Sequence, residues 1–219
     1  MALSLIEVVN DALASLGEQP ITDLKKENAT STSTLVRVKY PLVQRALLME
    51  ADWNCARKTR KLARLKYDAQ GWDYAFQLPN DCLHVVQISI DGGHSYIDLN
   101  AYYNNNAGPK RSLFDRDGDV LLANVPEVWI KYTALIDVAE FDPFLAAAFS
   151  AQLAAELAYA VPASASLSQY LEQIAKKKLY KALSRNALDR NILKPEGEVI
   201  NVRGYGRKYP RVDMSSEAG

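Results

Sequence analysis

Residues able to do chemistry are few in this chain. Two histidines, His84 and His94, and two cysteines, Cys55 and Cys82, are its whole supply of imidazole and thiol. Cys82 and His84 stand two apart in an apolar run, so a strand there puts them on one face, the arrangement that a thiolate nucleophile and its base require. The plainer reading is a core cysteine beside a surface histidine. Asp115, Asp117 and Asp119 alternate around Gly118 with the opening spacing of a calcium loop. The glycine comes too early, however, and no glutamate stands at the twelfth position, so a hairpin turn accounts for them better. A glycosidase pair needs two carboxylates about 5–10 Å apart with split pKa values, and nothing in the sequence supports one. No phosphate loop, dinucleotide fingerprint, HExxH or GxSxG motif occurs. The expectation is therefore a protein with no catalytic residues, no cofactor and no metal site, that is, not an enzyme.

Charge carries more information. Lys plus Arg and Asp plus Glu each number 26, so no whole-molecule field draws the protein to nucleic acid or anionic lipid. The neutrality hides sharp zoning. Arg57, Lys58, Arg60, Lys61, Arg64 and Lys66 fall within ten residues with no acid among them, and twelve acids against four cations follow over 68–142. The plain reading is one strand that pairs its cations with those acids; contact with phosphates and a protein interface stay open as alternatives. From Pro195 onward no helical stripe remains, and Arg203, Tyr205, Arg207, Lys208, Tyr209 and Arg211 combine residue types enriched at interfaces. That stretch reads as an extended arm that binds a partner or a neighbouring copy. Tyr102 and Tyr103, before Asn104, Asn105 and Asn106, read as contact residues on a loop tip.

These groups must be positioned by an α+β framework. Ser4 and Glu7 form a capping box for a helix over about 4–16, with Ile6, Val9, Leu13 and Leu16 at helical spacing before Gly17. Leu35, Val38, Leu42, Ala46 and Met49 mark the expected inward stripe of a second helix over 30–52, kinked at Pro41. From Trp53 to about Asp137 the period changes to two, as in Tyr74, Phe76 and Leu78 and in Val128, Ile130, Tyr132, Ala134 and Ile136. Asp91-Gly92-Gly93 and Asp117-Gly118 mark hairpin turns, so the sheet is antiparallel. Asp142-Pro143 opens a third helix to about 160. Ser166 with Gln169 suggests a capping box for a fourth, to about 190, with Leu167, Leu171, Ile174, Leu179 and Leu183 inward.

The expected organisation is a helical bundle from 1–52 and 143–194, an inserted antiparallel β unit over 53–142, and the arm 195–219. The N-terminal stretch reads as a structural helix rather than a secretory leader, because Glu7 and Asp11 interrupt it and no basic region precedes it. The Ala-rich run from Pro143 is expected to be a buried bundle helix rather than a membrane span, and two cysteines suggest a reducing, intracellular setting.

Several motifs then line up in order. Val9-Asn10-Asp11-Ala12-Leu13-Ala14-Ser15-Leu16-Gly17-Glu18 with Pro20, Ala51-Asp52-Trp53-Asn54, Tyr74-Ala75-Phe76-Gln77-Leu78-Pro79 with Asp81-Cys82-Leu83, and Phe141-Asp142-Pro143 leading into Leu153-Ala154-Ala155-Glu156-Leu157-Ala158 resemble the tail tubular protein A family of short-tailed bacteriophages. The resemblance spans about 1–190. It implies a structural virion protein, assembled in the host cytoplasm into a head-to-tail adaptor ring of twelve copies. Such a ring joins the portal protein to a tail nozzle of the tail tubular protein B kind, and DNA passes through it without sequence-specific binding or any membrane contact. By the same resemblance, the arm residues Arg203 to Arg211 engage portal or neighbour and the loop from Tyr102 to Asn106 faces the nozzle. A phage-tail glycan hydrolase and a DNA-binding accessory protein are the alternatives at this point.

Overall fold

The computed structural model describes residues 3–25, 30–66, 71–98, 114–160 and 165–189. The arm 195–219 and the loop from Tyr102 to Asn106 lie outside them. The first helix, α1 (Leu5–Leu16), forms as its sequence predicts. Ser4 Oγ accepts from Glu7 N at 3.2 Å, Ser4 N donates to Glu7 Oε2 at 2.7 Å, and Gly17 ends the helix at φ 76°, where a side chain would be strained. The second, α2 (Ser31–Met49), starts from the reciprocal Thr30 and Ser33 box.

Its buried face differs from the predicted one. Ser33, Val36, Val43, Gln44, Leu47 and Leu48 point inward, whereas Val38, Leu42 and Met49 are 59%, 60% and 59% exposed. Polar anchors decide the rotation: Gln44 Nε2, buried, donates to Ile136 O at 2.7 Å, and Trp53, fully buried just past the helix, donates from Nε1 to Leu47 O at 2.9 Å. A buried amide without such a partner costs about 1–3 kcal/mol, as much as burying one more leucine returns.

Eight strands follow among the described residues, and they form two antiparallel sheets rather than the single sheet expected. β1 (Arg57–Lys61), β4 (Cys82–Ser89), β5 (Ile97–Asp98) and β8 (Trp129–Ala134) make one sheet in the order β1-β8-β4-β5. β2 (Ala63–Leu65), β3 (Tyr74–Gln77), β6 (Phe114–Asp117) and β7 (Val120–Ala123) make the other in the order β2-β3-β7-β6. The chain crosses between sheets at Leu62, which is buried and donates its N–H to Val128 O at 2.9 Å. Hairpin turns sit where the glycines place them, with Gly92, Gly93 and Gly118 all at positive φ.

A 3₁₀ turn (Val138–Glu140) leads to α3 (Pro143–Ala158), capped by Asp142 Oδ1, which accepts from Phe144 N at 2.9 Å and Leu145 N at 3.0 Å. Eleven residues of α3 are buried, from Leu145 and Ala146 to Leu157 and Ala158. No helix among the described residues is long and apolar enough to cross a membrane. The last helix, α4 (Ala165–Leu188), begins two residues earlier than a Ser166 cap would allow, so Ser166 and Gln169 belong to its body. α1, α2 and α4 all pack on α3, and one continuous core joins the helices to both sheets. The end of α4 is tied back across the fold: Asn186 Oδ1 accepts from Asn54 N at 2.8 Å, Asn186 Nδ2 donates to Asp52 O at 3.0 Å, and Asn54 Nδ2 donates to Asn186 O at 2.9 Å.

Two substitutions on α2 separate its faces. Leu47→Ala should cost about 2–5 kcal/mol by opening a cavity, while Leu42→Ala should stay within about 0.5 kcal/mol, both read by urea unfolding. Ser168 is fully buried and its hydroxyl has no hydrogen-bond partner among the described residues. Ser168→Ala should therefore leave stability unchanged or raise it by about 1 kcal/mol in the same assay.

Candidate functional site

Five of the six clustered cations lie on two short edge strands that meet at the Leu62 corner, not on one strand, and Lys66 follows directly after the second. The split changes their pairing. Lys58 Nζ meets Asp81 Oδ2 at 2.9 Å and Lys61 Nζ meets Glu127 Oε1 at 2.8 Å, both acids of the 68–142 segment as the sequence suggested. Arg57 turns the other way, holding Asp52 through Nε at 3.1 Å and Nη2 at 2.7 Å. Arg64 stacks its guanidinium 4.1 Å above the ring centre of Tyr74. Arg60, Arg64 and Lys66 have no carboxylate partner among the described residues, and Arg60 borders a groove of about 460 Å³ between the corner and Pro79 to Asp81.

Asp81 is the hub of this edge. Burial works to raise its carboxyl, but hydrogen bonds from Lys58 Nζ and Tyr132 Oη outweigh burial and hold it below the usual aspartate value. The same contact works in reverse on the tyrosine, which burial first and the Asp81 carboxylate second push up to about 12.

The chemical candidates do not assemble into a catalytic centre. β4 carries a register shift between Cys82 and His84, so that Cys82 lies opposite Ala134 and His84 opposite the adjacent Thr133. The regular alternation that would place them on one face is broken. Burial drives the Cys82 thiol up to about 11 and raises Cys55 as well, which keeps both protonated at neutral pH. Asp115, Asp117 and Asp119 are exposed around the β6–β7 turn; Asp115 Oδ1 accepts from Arg116 N at 2.8 Å, and no group of three or more potential metal ligands occurs among the described residues.

One tight polar cluster escaped the sequence reading. Asp91 accepts from Ser89 Oγ at 2.6 Å, from His94 N at 3.1 Å, from Ser95 N at 3.0 Å and from the Ser95 hydroxyl, and the Ser89 hydroxyl holds its carboxyl far below the ordinary range, followed by Ser95. Its signal was the Ser-x-Asp-Gly-Gly-x-Ser spacing, which the glycine turn alone had explained. A second polar link, Ser150 Oγ to Asp11 Oδ2 at 2.5 Å, ties α3 to α1.

What the molecule does present is protein surface of unusual character. Besides the outward stripe of α2, the outer side of α4 exposes Tyr170, Tyr180 and Leu188 among Lys176, Lys177 and Lys181. The outer side of α1 is acidic and small, with Glu7, Asp11, Ala14 and Ser15 exposed. In comparisons with known proteins the chain matches no family model, and no curated protein is significantly similar to it.

Asp81 and Asp91 are both depressed in the folded state, so each stabilises the fold above the unfolded carboxyl value and that stability disappears as pH falls through the folded one. Unfolding free energy should therefore drop below about pH 4. Asp81→Asn should show a smaller drop than the parent over the same acid range in urea titrations.

Proposed function

We propose that the protein is a structural adaptor of a phage virion, forming a ring between portal and tail nozzle through which DNA passes. The observation that carries this reading is the set of large apolar side chains held outward on helices that are firmly seated on α3. Val38, Leu42 and Met49 on α2 and Tyr170, Tyr180 and Leu188 on α4 are all more than half exposed. The three on α2 follow one line along that helix, and apolar surface grouped this way marks contact with other macromolecules. A ring further needs two different, complementary surfaces on each copy. The outward sides of α1 and α2 differ in charge, as such an arrangement asks. The split bundle with its inserted sheets also agrees with the motif order from which the resemblance was drawn. On this reading the arm residues Arg203, Tyr205, Arg207, Lys208, Tyr209 and Arg211 engage the portal or a neighbour.

Mass photometry of the protein mixed with portal dodecamers tests the proposal, with about twelve added copies per portal expected. Deleting 195–219 should leave thermal unfolding nearly unchanged while abolishing attachment. Failure of the full chain to load on any portal would remove the reading.

Arg60, Arg64 and Lys66, without carboxylate partners among the described residues, favour one second reading, contact with the backbone of nucleic acid. Affinity for duplex DNA would then fall with salt at a log–log slope of about −0.9 per phosphate neutralised; a flat response would exclude it.

A further inference from the structure

The outward stripe of α2 is the least explained surface of the fold. Val38, Leu42, Arg45 and Met49 follow one another at offsets of four, three and four residues, which sets them on one line along the helix. From Val38 to Met49 the line covers about 17 Å at 1.5 Å per residue. Three of its side chains are apolar and about 60% exposed, and the fourth, Arg45, is exposed with no carboxylate partner among the described residues. Arg37 flanks the line and is likewise unpaired among them, and α2 contains no acid at all. A natural counterpart is therefore a helix face with acids at its edges and little bulk at its centre.

The chain itself carries such a face. On α1, Glu7, Asp11 and Ala14 stand at offsets of four and three, the same spacing that opens the α2 line, and Glu18 follows just past the Gly17 cap. Glu7, Asp11 and Ala14 are exposed, and the small Ala14 leaves room for a leucine or methionine from another helix. Two other pairings are disfavoured by charge. The α4 outer face brings Lys176, Lys177 and Lys181, which would oppose Arg37 and Arg45. Two α2 faces meeting each other would set arginine against arginine.

We infer that the α2 stripe of one copy docks on the outward face of α1 of the next copy, Arg37 and Arg45 reaching Glu7 and Asp11 while Leu42 and Met49 pack over Ala14. The contact is heterologous, so each copy keeps one free face of each kind and the chain of contacts runs on from copy to copy. It deepens the adaptor reading by naming the surfaces on which the ring would close, and it rests on that reading.

Two full-length variants test it, each altered at an exposed position so that the fold is preserved, as thermal unfolding would verify. Leu42→Asp disables the α2 face and Ala14→Arg disables the α1 face. In sedimentation velocity over a wide concentration range, the parent should form species that grow past the dimer. Each variant alone should lose association by more than about tenfold in dissociation constant. Mixed together, the two should form a one-to-one dimer that grows no further, because only one intact pair of faces remains. The inference is overturned if the parent stays monomeric throughout, if Leu42→Asp associates like the parent, if Ala14→Arg still dimerises through α2, or if the mixture stays monomeric. Loading on portal dodecamers is scored separately. A parent that associates by this contact yet never loads on a portal removes the adaptor reading alone, and a Leu42→Asp variant that loads in full number removes the docking alone.

Discussion

The whole arrangement depends on one helix that cannot face water. α3 is apolar on nearly every side, with Leu145, Phe149, Leu153 and Leu157 interleaved with alanines and one serine, and all of these but Ala147 are buried. A helix of this kind is stable only when other elements enclose it. α1 and α2 come from one end of the chain, α4 follows from the other side, and all three lie against α3. The bundle therefore exists only once the segments before and after the inserted sheets have met. Because the entropic cost of closing a loop grows slowly with its length, an insertion of this size is tolerated. The alanines of α3 matter as much as its leucines, since small side chains let three neighbours approach one axis closely.

The sheets share in that enclosure instead of standing apart. Gln44 of α2 donates to Ile136 O just beyond β8, and the side chains of β4 and β8 continue the core that α3 begins. The crossing at Leu62 forces β1 and β2 into different sheets, which explains why a run of cations that looked like one strand divides its partners. Arg57 bonds back toward the bundle at Asp52, while Lys58 and Lys61 reach acids of the β unit. The more exposed lysine pairs each contribute only about 0–1 kcal/mol, so their effect is more on the register of the edge than on overall stability.

Most of the framework was legible in the sequence because its signals are local. Ser4 with Glu7, Thr30, Asp142 with Pro143, and the glycine turns each satisfy a backbone group within a few residues of themselves, and all of them lie at or beside the boundaries read from them. The rotation of α2 was not legible. Its sequence has apolar residues around most of its circumference, and the stripe with the more regular spacing is the one left outside. The choice rests on Gln44, whose partner lies 92 residues away, and on Trp53, whose indole closes back on Leu47. The division into two sheets was hidden for the same reason, since alternation reports which face is buried and not which strand lies alongside. Of the surfaces singled out beforehand, the cations could be located, whereas the outward stripe of α2 could not have been foreseen from a pattern that reads as ordinary amphipathic helix.

The asparagine clasp between Asn54 and Asn186 gives the fold a defined path for mechanical load. Three hydrogen bonds fasten the last turn of α4 to the segment that leads from α2 into β1. Tension applied at the C-terminal end of α4 is thus delivered first to a junction beside Trp53, a fully buried anchor, and shared between bundle and sheets. Pulling along the helix loads the three bonds together in shear, whereas peeling the helix away opens them one after another. A molecule held at that end should therefore resist a steady axial pull better than a sideways one, a directional toughness that its equilibrium stability would not reveal.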